Sequence, residues 1–117
     1  LFGGSHGYED GGHLRDFVWV GDVVDVNLFL AESPQPIKSY FNLGTGKARA
    51  FRHKAEILVK LLGKGEIKFR EMPEVLKDKY QAFTQADLTK LRATGYAKEF
   101  TSLEEGVEQY FNYLQNA

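Results

Sequence analysis

Apolar positions along the chain recur with helical spacing in three stretches and with short alternation in three others. Phe51, Ala55, Leu58 and Leu62 stand at i, i+4, i+7 and i+11, which predicts an amphipathic helix over 51–62, stopped by Gly63 and Gly65. Leu103, Val107, Tyr110 and Leu114 predict another that runs to the end of the chain. Before it, Thr101-Ser102-Leu103-Glu104 has the spacing of a capping box, with Thr101 and Glu104 satisfying each other's orphan amides. Val23, Val26, Asn27 and Leu30 share a face of a third helix, from Asp22 as N-cap to about Glu32, closed by Pro34 and Pro36. Residues 15–20 (RDFVWV) are apolar on both sides, Phe17 and Trp19 against Val18 and Val20, and read as a buried strand or a strand entering a helix. Residues 39–43 (SYFNL) and 66–70 (EIKFR) read as short strands, and Gly44-Thr45-Gly46 as a tight turn. Asp87 is placed to cap a short helix ending at Gly95. The order strand, helix, strand, helix, strand, helix, helix gives an α/β class, or α+β for these elements in isolation. The apolar faces are generous for so few strands, so one side is expected to pack on something beyond them.

Composition narrows the function classes. At 117 residues, 43% apolar and 26% charged, the chain is an ordinary globular domain in its balance. Fifteen Lys and Arg against sixteen Asp and Glu leave a net charge of −1, which argues against a nucleic-acid or anionic-membrane partner bound through a broad basic field. No apolar run approaches the roughly 18 to 20 residues a membrane-spanning helix needs. With no cysteine there are no disulfides, thiol nucleophiles or Cys-based zinc sites, and the composition fits a reducing compartment. The chain opens at Leu1 with neither an initiator Met nor a signal-peptide pattern, so it is expected to be a piece of a longer protein.

The candidate chemistry is concentrated near the start. Residues 1–14 (LFGGSHGYEDGGHL) hold five of the twelve glycines and read as a loop that lets a ligand approach its backbone. Phe2-Gly3-Gly4-Ser5 offers amides and a hydroxyl, with Phe2 free to meet a flat ring. His6, Glu9, Asp10 and His13 share that loop but lie on no rigid element, so a solvated loop is favoured over a metal site. Arg15-Asp16 is either a surface ion pair of little worth or an arginine fork held ready for a diphosphate, and both readings stand. Gly44-Thr45-Gly46 lacks the full P-loop spacing and its Lys-Ser/Thr pair, so it reads as structural. Tyr80 can stack on a ligand or be an ordinary half-buried aromatic. Ser5 has no G-x-S-x-G elbow, no Tyr has a Lys four positions later, and no G-x-x-G-x-x-G follows a strand. No catalytic, cofactor-binding or metal-ligating residue is therefore assigned to the chain itself.

Five segments change the picture when taken together: LFGGS, RDFVWVGDVVDVNLF, YFNLGTGKARAF, KYQAFTQADLTKLRATGY and TSLEEGVEQYFNYL. In this order they resemble the C-terminal third of the ADP-L-glycero-D-manno-heptose 6-epimerase family, within the extended short-chain dehydrogenase/reductase superfamily. RDFVxVxDV and NLGTG are common to the superfamily's sugar-nucleotide branch, whereas KYQAFTQADLTKLR is narrower. The resemblance implies that residues 1–117 are a small substrate-binding region, normally packed on an N-terminal Rossmann domain that binds NADP and carries a catalytic Tyr and Lys. It further implies ADP-heptose as substrate, inversion at C6″ for lipopolysaccharide core synthesis, a ring-like homo-oligomer, and the cytoplasm of a Gram-negative bacterium. By matching motifs, Phe2, Gly3, Gly4 and Ser5 would hold the nucleotide, Arg15 would neutralise the diphosphate and Tyr80 would close the site. The chain departs from the family in a longer stretch between Ser5 and Arg15. It also has Ala50 where a Ser or Thr usually caps the helix at Phe51, which is expected to weaken that helix start. Another epimerase or dehydratase of the superfamily shares the Arg-Asp strand and the NLGTG turn, and a stand-alone, non-catalytic binding module is a further alternative.

Overall fold

Main-chain pairing is short and centred on Leu14. In the computed structural model, which describes residues 1–117, β1 (Leu14–Arg15) runs antiparallel to β2 (Arg49–Ala50), with Leu14 opposite Ala50 and Arg15 opposite Arg49. On its other side Leu14 forms a parallel bridge to Phe83. There its N–H donates to the Ala82 carbonyl at 2.9 Å and its own carbonyl accepts from the Thr84 N–H at 3.1 Å. Around this strip lie α1 (Val20–Ala31), α2 (Phe51–Leu62), the single turns α3 (Glu74–Lys77) and α4 (Thr89–Arg92), and α5 (Leu103–Gln115), which packs on α2. The architecture is mixed α/β. Its small core is Val26 of α1, Leu91 of α4 and Tyr96, with Phe29, Leu43 and Phe100 packed against them.

α2 matches its apolar periodicity at both ends, and Gly63 closes it in the left-handed conformation at φ +67°. Its start shows how a helix does without a capping side chain. Ala50 makes no such bond, as its methyl requires, yet the His13 carbonyl accepts from the Phe51 N–H at 3.2 Å and the Gly11 carbonyl from the Arg52 N–H at 2.9 Å. Carbonyls of the glycine-rich loop satisfy the orphan amides instead, so the weak start expected from Ala50 is compensated.

Several sequence expectations are corrected. Asp22 is not a cap: the helix start lies three residues earlier, with Trp19 in the cap position, and Asp22 is buried in its first turn. There its carboxylate accepts from the Thr101 N–H at 2.7 Å and hydroxyl at 2.9 Å. With Thr101 so engaged, the capping box moves one residue along, to Ser102 and Glu105. Residues 39–43 find no partner edge and form no strand, and Tyr40 is 96% exposed. Residues 66–70 contribute only a bridge between Phe2 and Arg70. The run 15–20 pairs only through Arg15, and Val18 and Val20 face outward rather than into a core.

The chain buries little. Only 10 of 117 residues are buried, and its surface of 8196 Å² exceeds the roughly 6,400 Å² of a compact protein of this mass. The radius of gyration is 17.0 Å, where about 13 Å is usual for this length. Phe17–Val20 and the Leu103, Gly106, Val107 and Tyr110 positions of α5 enclose an open apolar groove of about 430 Å³. The chain on its own is accordingly expected to bind a hydrophobic dye and to self-associate. A tight monomer without dye binding in sedimentation and fluorescence measurements would show that it is self-sufficient. No helix is long and apolar enough to cross a membrane.

Candidate functional site

The strip around Leu14 assembles the site. β1 delivers Arg15, the segment paired to it delivers Tyr80 from just before Phe83, and β2 leads into Phe51 at the head of α2. The Arg15 guanidinium lies over both rings, 5.5 Å from the centre of Tyr80 and 6.0 Å from that of Phe51. Its Nη1 is buried and has no hydrogen-bond partner. Phe2 meets Tyr80 edge-to-face at 5.6 Å, because residues 1–3 are pinned to 68–70: the Arg70 N–H donates to the Leu1 carbonyl and the Gly3 N–H to the Arg70 carbonyl. Phe2, His13, Phe51, Arg70 and Tyr80 line a cleft of about 470 Å³. Phe2, Arg15 and Tyr80, far apart in sequence, thus converge.

Arg15 and Asp16 do not form an ion pair. The Asp16 carboxylate accepts from the Thr45 N–H and hydroxyl at 2.7 and 2.6 Å, the Gly46 N–H at 2.9 Å and the Ala86 N–H at 3.0 Å. Burial alone would raise its pKa, but these hydrogen bonds, led by the Thr45 hydroxyl, outweigh it and hold the carboxyl below its ordinary value. The Gly44-Thr45-Gly46 turn, with Gly46 at φ +74°, is therefore structural: an internal anion already occupies its amides.

The loop of residues 2–13 is less open than its composition implies. The Gly3 N–H donates to the Arg70 carbonyl at 2.8 Å and the Gly4 N–H to Asp10 Oδ1 at 2.7 Å, so neither amide points free into the cleft, contrary to expectation. Ser5 Oγ sits 2.8 Å from both His6 Nδ1 and His13 Nε2, and His6 Nε2 lies 2.7 Å from the Lys77 carbonyl. A carbonyl only accepts, so His6 carries its proton on Nε2. With neutral rings, Ser5 then donates to His6 and accepts from His13. This chain ties the loop to α3 and holds His6 in the left-handed region at φ +54°, a conformation that costs a non-glycine residue energy. His6, Glu9, Asp10 and His13 do not converge on a common point.

His13 and Arg70 are the site residues that sequence reasoning missed. His13 is 1% exposed and meets Tyr80 edge-to-face at 5.1 Å. Burial lowers its pKa below 6.5, the nearby Ser5 carbonyl opposes this, and the charges of His6 and Arg15 add to the lowering. Folding thus favours neutral His13. Its contribution to stability is present above pH 6.5, declines as the unfolded chain takes up the proton, and is lost on passing through the lower folded pKa. Stability should fall on acidification in that window, and His13→Gln should flatten the fall in denaturation curves. An unchanged pH dependence would assign it to other groups.

No protein-family model matches the chain. Among solved structures it is similar to TunA, an NAD-dependent NDP-hexosamine 5,6-dehydratase involved in tunicamycin biosynthesis, with a TM-score of 0.75 and 24% identity over 94% of this chain. The chain spans 35% of that protein's length. The likeness establishes the fold: these 117 residues share the mixed α/β architecture of a portion of a larger protein.

Proposed function

We propose that the cleft holds the diphosphate of a sugar nucleotide, and that the chain is the substrate-binding part of a nicotinamide-dependent ADP-heptose 6-epimerase. The observation that carries this reading is Arg15, a cation stacked on Tyr80 and Phe51 with Nη1 buried and unpartnered. A buried guanidinium nitrogen without an acceptor is unfavourable unless a ligand supplies one, and a diphosphate matches the fork with two parallel hydrogen bonds. Phe2 and Tyr80 offer ring faces to the nucleotide or sugar beside it, whereas the Ser5 hydroxyl is engaged by His6 and His13 and lies outside the cleft lining.

Nothing in these residues fits the nicotinamide cofactor. No glycine fingerprint follows a strand, no Tyr-x-x-x-Lys is present, and the one glycine turn before a helix has its amides on Asp16. The reading therefore assigns NADP and the catalytic Tyr and Lys to a Rossmann domain outside this chain. The groove between residues 17–20 and α5 is a candidate surface for that domain to cover. In this reading the enzyme is a cytoplasmic homo-oligomer serving lipopolysaccharide synthesis, and the chain alone binds without turnover.

A second reading, sugar-nucleotide dehydration, is favoured by the fold shared with the NDP-hexosamine dehydratase. Incubating the full-length protein with ADP-D-glycero-D-manno-heptose separates the two. The epimerase reading predicts a product of unchanged mass with inverted C6″ in its NMR spectrum. A product lighter by one water would replace it with the dehydratase reading, and turnover of a UDP-sugar alone would move the substrate class.

A further inference from the structure

We infer that Arg70 is a second anion contact of this cleft, gripping a phosphate chain from the Phe2 side while Arg15 holds it from the Tyr80 side. The inference rests on the sugar-nucleotide reading and deepens it: the site would select a ligand carrying at least two phosphate groups.

The chain has five arginines. Arg49 forms a two-pronged pair with Glu104, at 2.5 and 3.1 Å. Arg52 donates to the Asp10 carbonyl and lies 3.7 Å from Glu9. Arg92 donates to the Tyr96 and Lys98 carbonyls, both at 2.8 Å. Arg15 and Arg70 alone have no acceptor in the protein; Arg70 lines the cleft, and Arg15 lies against Tyr80 and Phe51, two of its lining rings. The Arg70 guanidinium lies over Phe2, 5.4 Å from the ring centre, as Arg15 lies over Tyr80, and the two rings touch edge-to-face.

That arrangement suits anion capture. Stacking on a ring face fixes a guanidinium's plane without using its N–H donors, which lie along the plane's edge. The Arg70 backbone is locked as well, since its N–H and carbonyl bracket Phe2 through Leu1 and Gly3. The adjacent carboxylate, Glu71, is turned toward Lys77 at 3.7 Å. Two oriented cations without a counter-ion, joined by two aromatic rings, form a cradle for a polyanion with an attached ring.

The test is a titration of adenosine, AMP and ADP into full-length wild-type protein, Arg70→Gln and Arg15→Ala at two salt concentrations. Wild type is expected to bind ADP more tightly than AMP. Arg70→Gln should weaken ADP roughly tenfold, bring it near the AMP affinity and reduce its salt dependence. Arg70 is exposed, so an unchanged melting temperature should accompany the loss. ADP affinity equal to wild type in Arg70→Gln, with Arg15→Ala impaired, would overturn the role of Arg70 and leave the sugar-nucleotide reading in place. A wild-type protein that binds ADP no better than adenosine would overturn both.

Discussion

Asp16→Ala is expected to destabilise the protein by about 3 to 4 kcal/mol. The carboxylate gathers three segments: the run that follows β1, the Gly44–Gly46 turn, and the approach to α4 at Ala86. Truncation strands the amides of Thr45, Gly46 and Ala86 together, and a stranded amide costs about 1 to 3 kcal/mol depending on how much water reaches it. The turn is fitted to the carboxylate, since a Cβ on Gly44 would come within 2.5 Å of Asp16 Oδ2. Asp16→Asn should lose less, because one acceptor oxygen remains. The folded carboxyl titrates below its ordinary 3.8, so its contribution is present above that pH and is lost as pH falls through the folded value. Urea denaturation at neutral pH is the measurement. A loss below about 1 kcal/mol would mean that the turn is held by something other than this carboxylate.

Arg15→Ala should have the opposite profile, with large loss of affinity and little loss of stability. Removing a charged, two-pronged contact to a diphosphate costs on the order of 1.5 to 3 kcal/mol, roughly ten- to a hundredfold in Kd. Its removal strands no partner, because Nη1 has none, so folding loses only the stacking on Tyr80 and Phe51. Arg15→Lys should recover part of the affinity, since a point charge replaces the fork. Calorimetric titration of ADP-heptose into the full-length variants, beside their denaturation curves, separates the effects. Unchanged affinity in Arg15→Ala would remove the diphosphate from this arginine.

What could be read from the sequence followed the range of the interactions involved. α2 was legible to the residue because its stripe and its glycine stop are local. The capping of α5 was not. Thr101–Glu104 and Ser102–Glu105 both satisfy the box spacing, and the choice between them is made by Asp22, 79 positions away. SYFNL and EIKFR have the alternation of strands, but a strand needs an edge to pair with, and no periodicity reveals whether one exists. At the site, motif matching picked Phe2, Arg15 and Tyr80, which the pairing around Leu14 brings together. It did not foresee that the Gly3 and Gly4 amides are engaged within the loop. Arg70 lies in a segment with strand alternation, and no local pattern ties it to Phe2, 68 positions away, which it bridges. The glycine-rich composition around His13 predicts a solvated loop, yet its ring is buried against Tyr80.

The most direct measurement is a crystal structure of the full-length protein with an ADP-sugar. The phosphate oxygens are predicted to lie within hydrogen-bonding distance of Arg15, with Tyr80 and Phe2 flanking the ligand and the Gly44–Gly46 amides still on Asp16. Density for the diphosphate at the Gly44–Gly46 turn, or anywhere out of reach of Arg15, would contradict it.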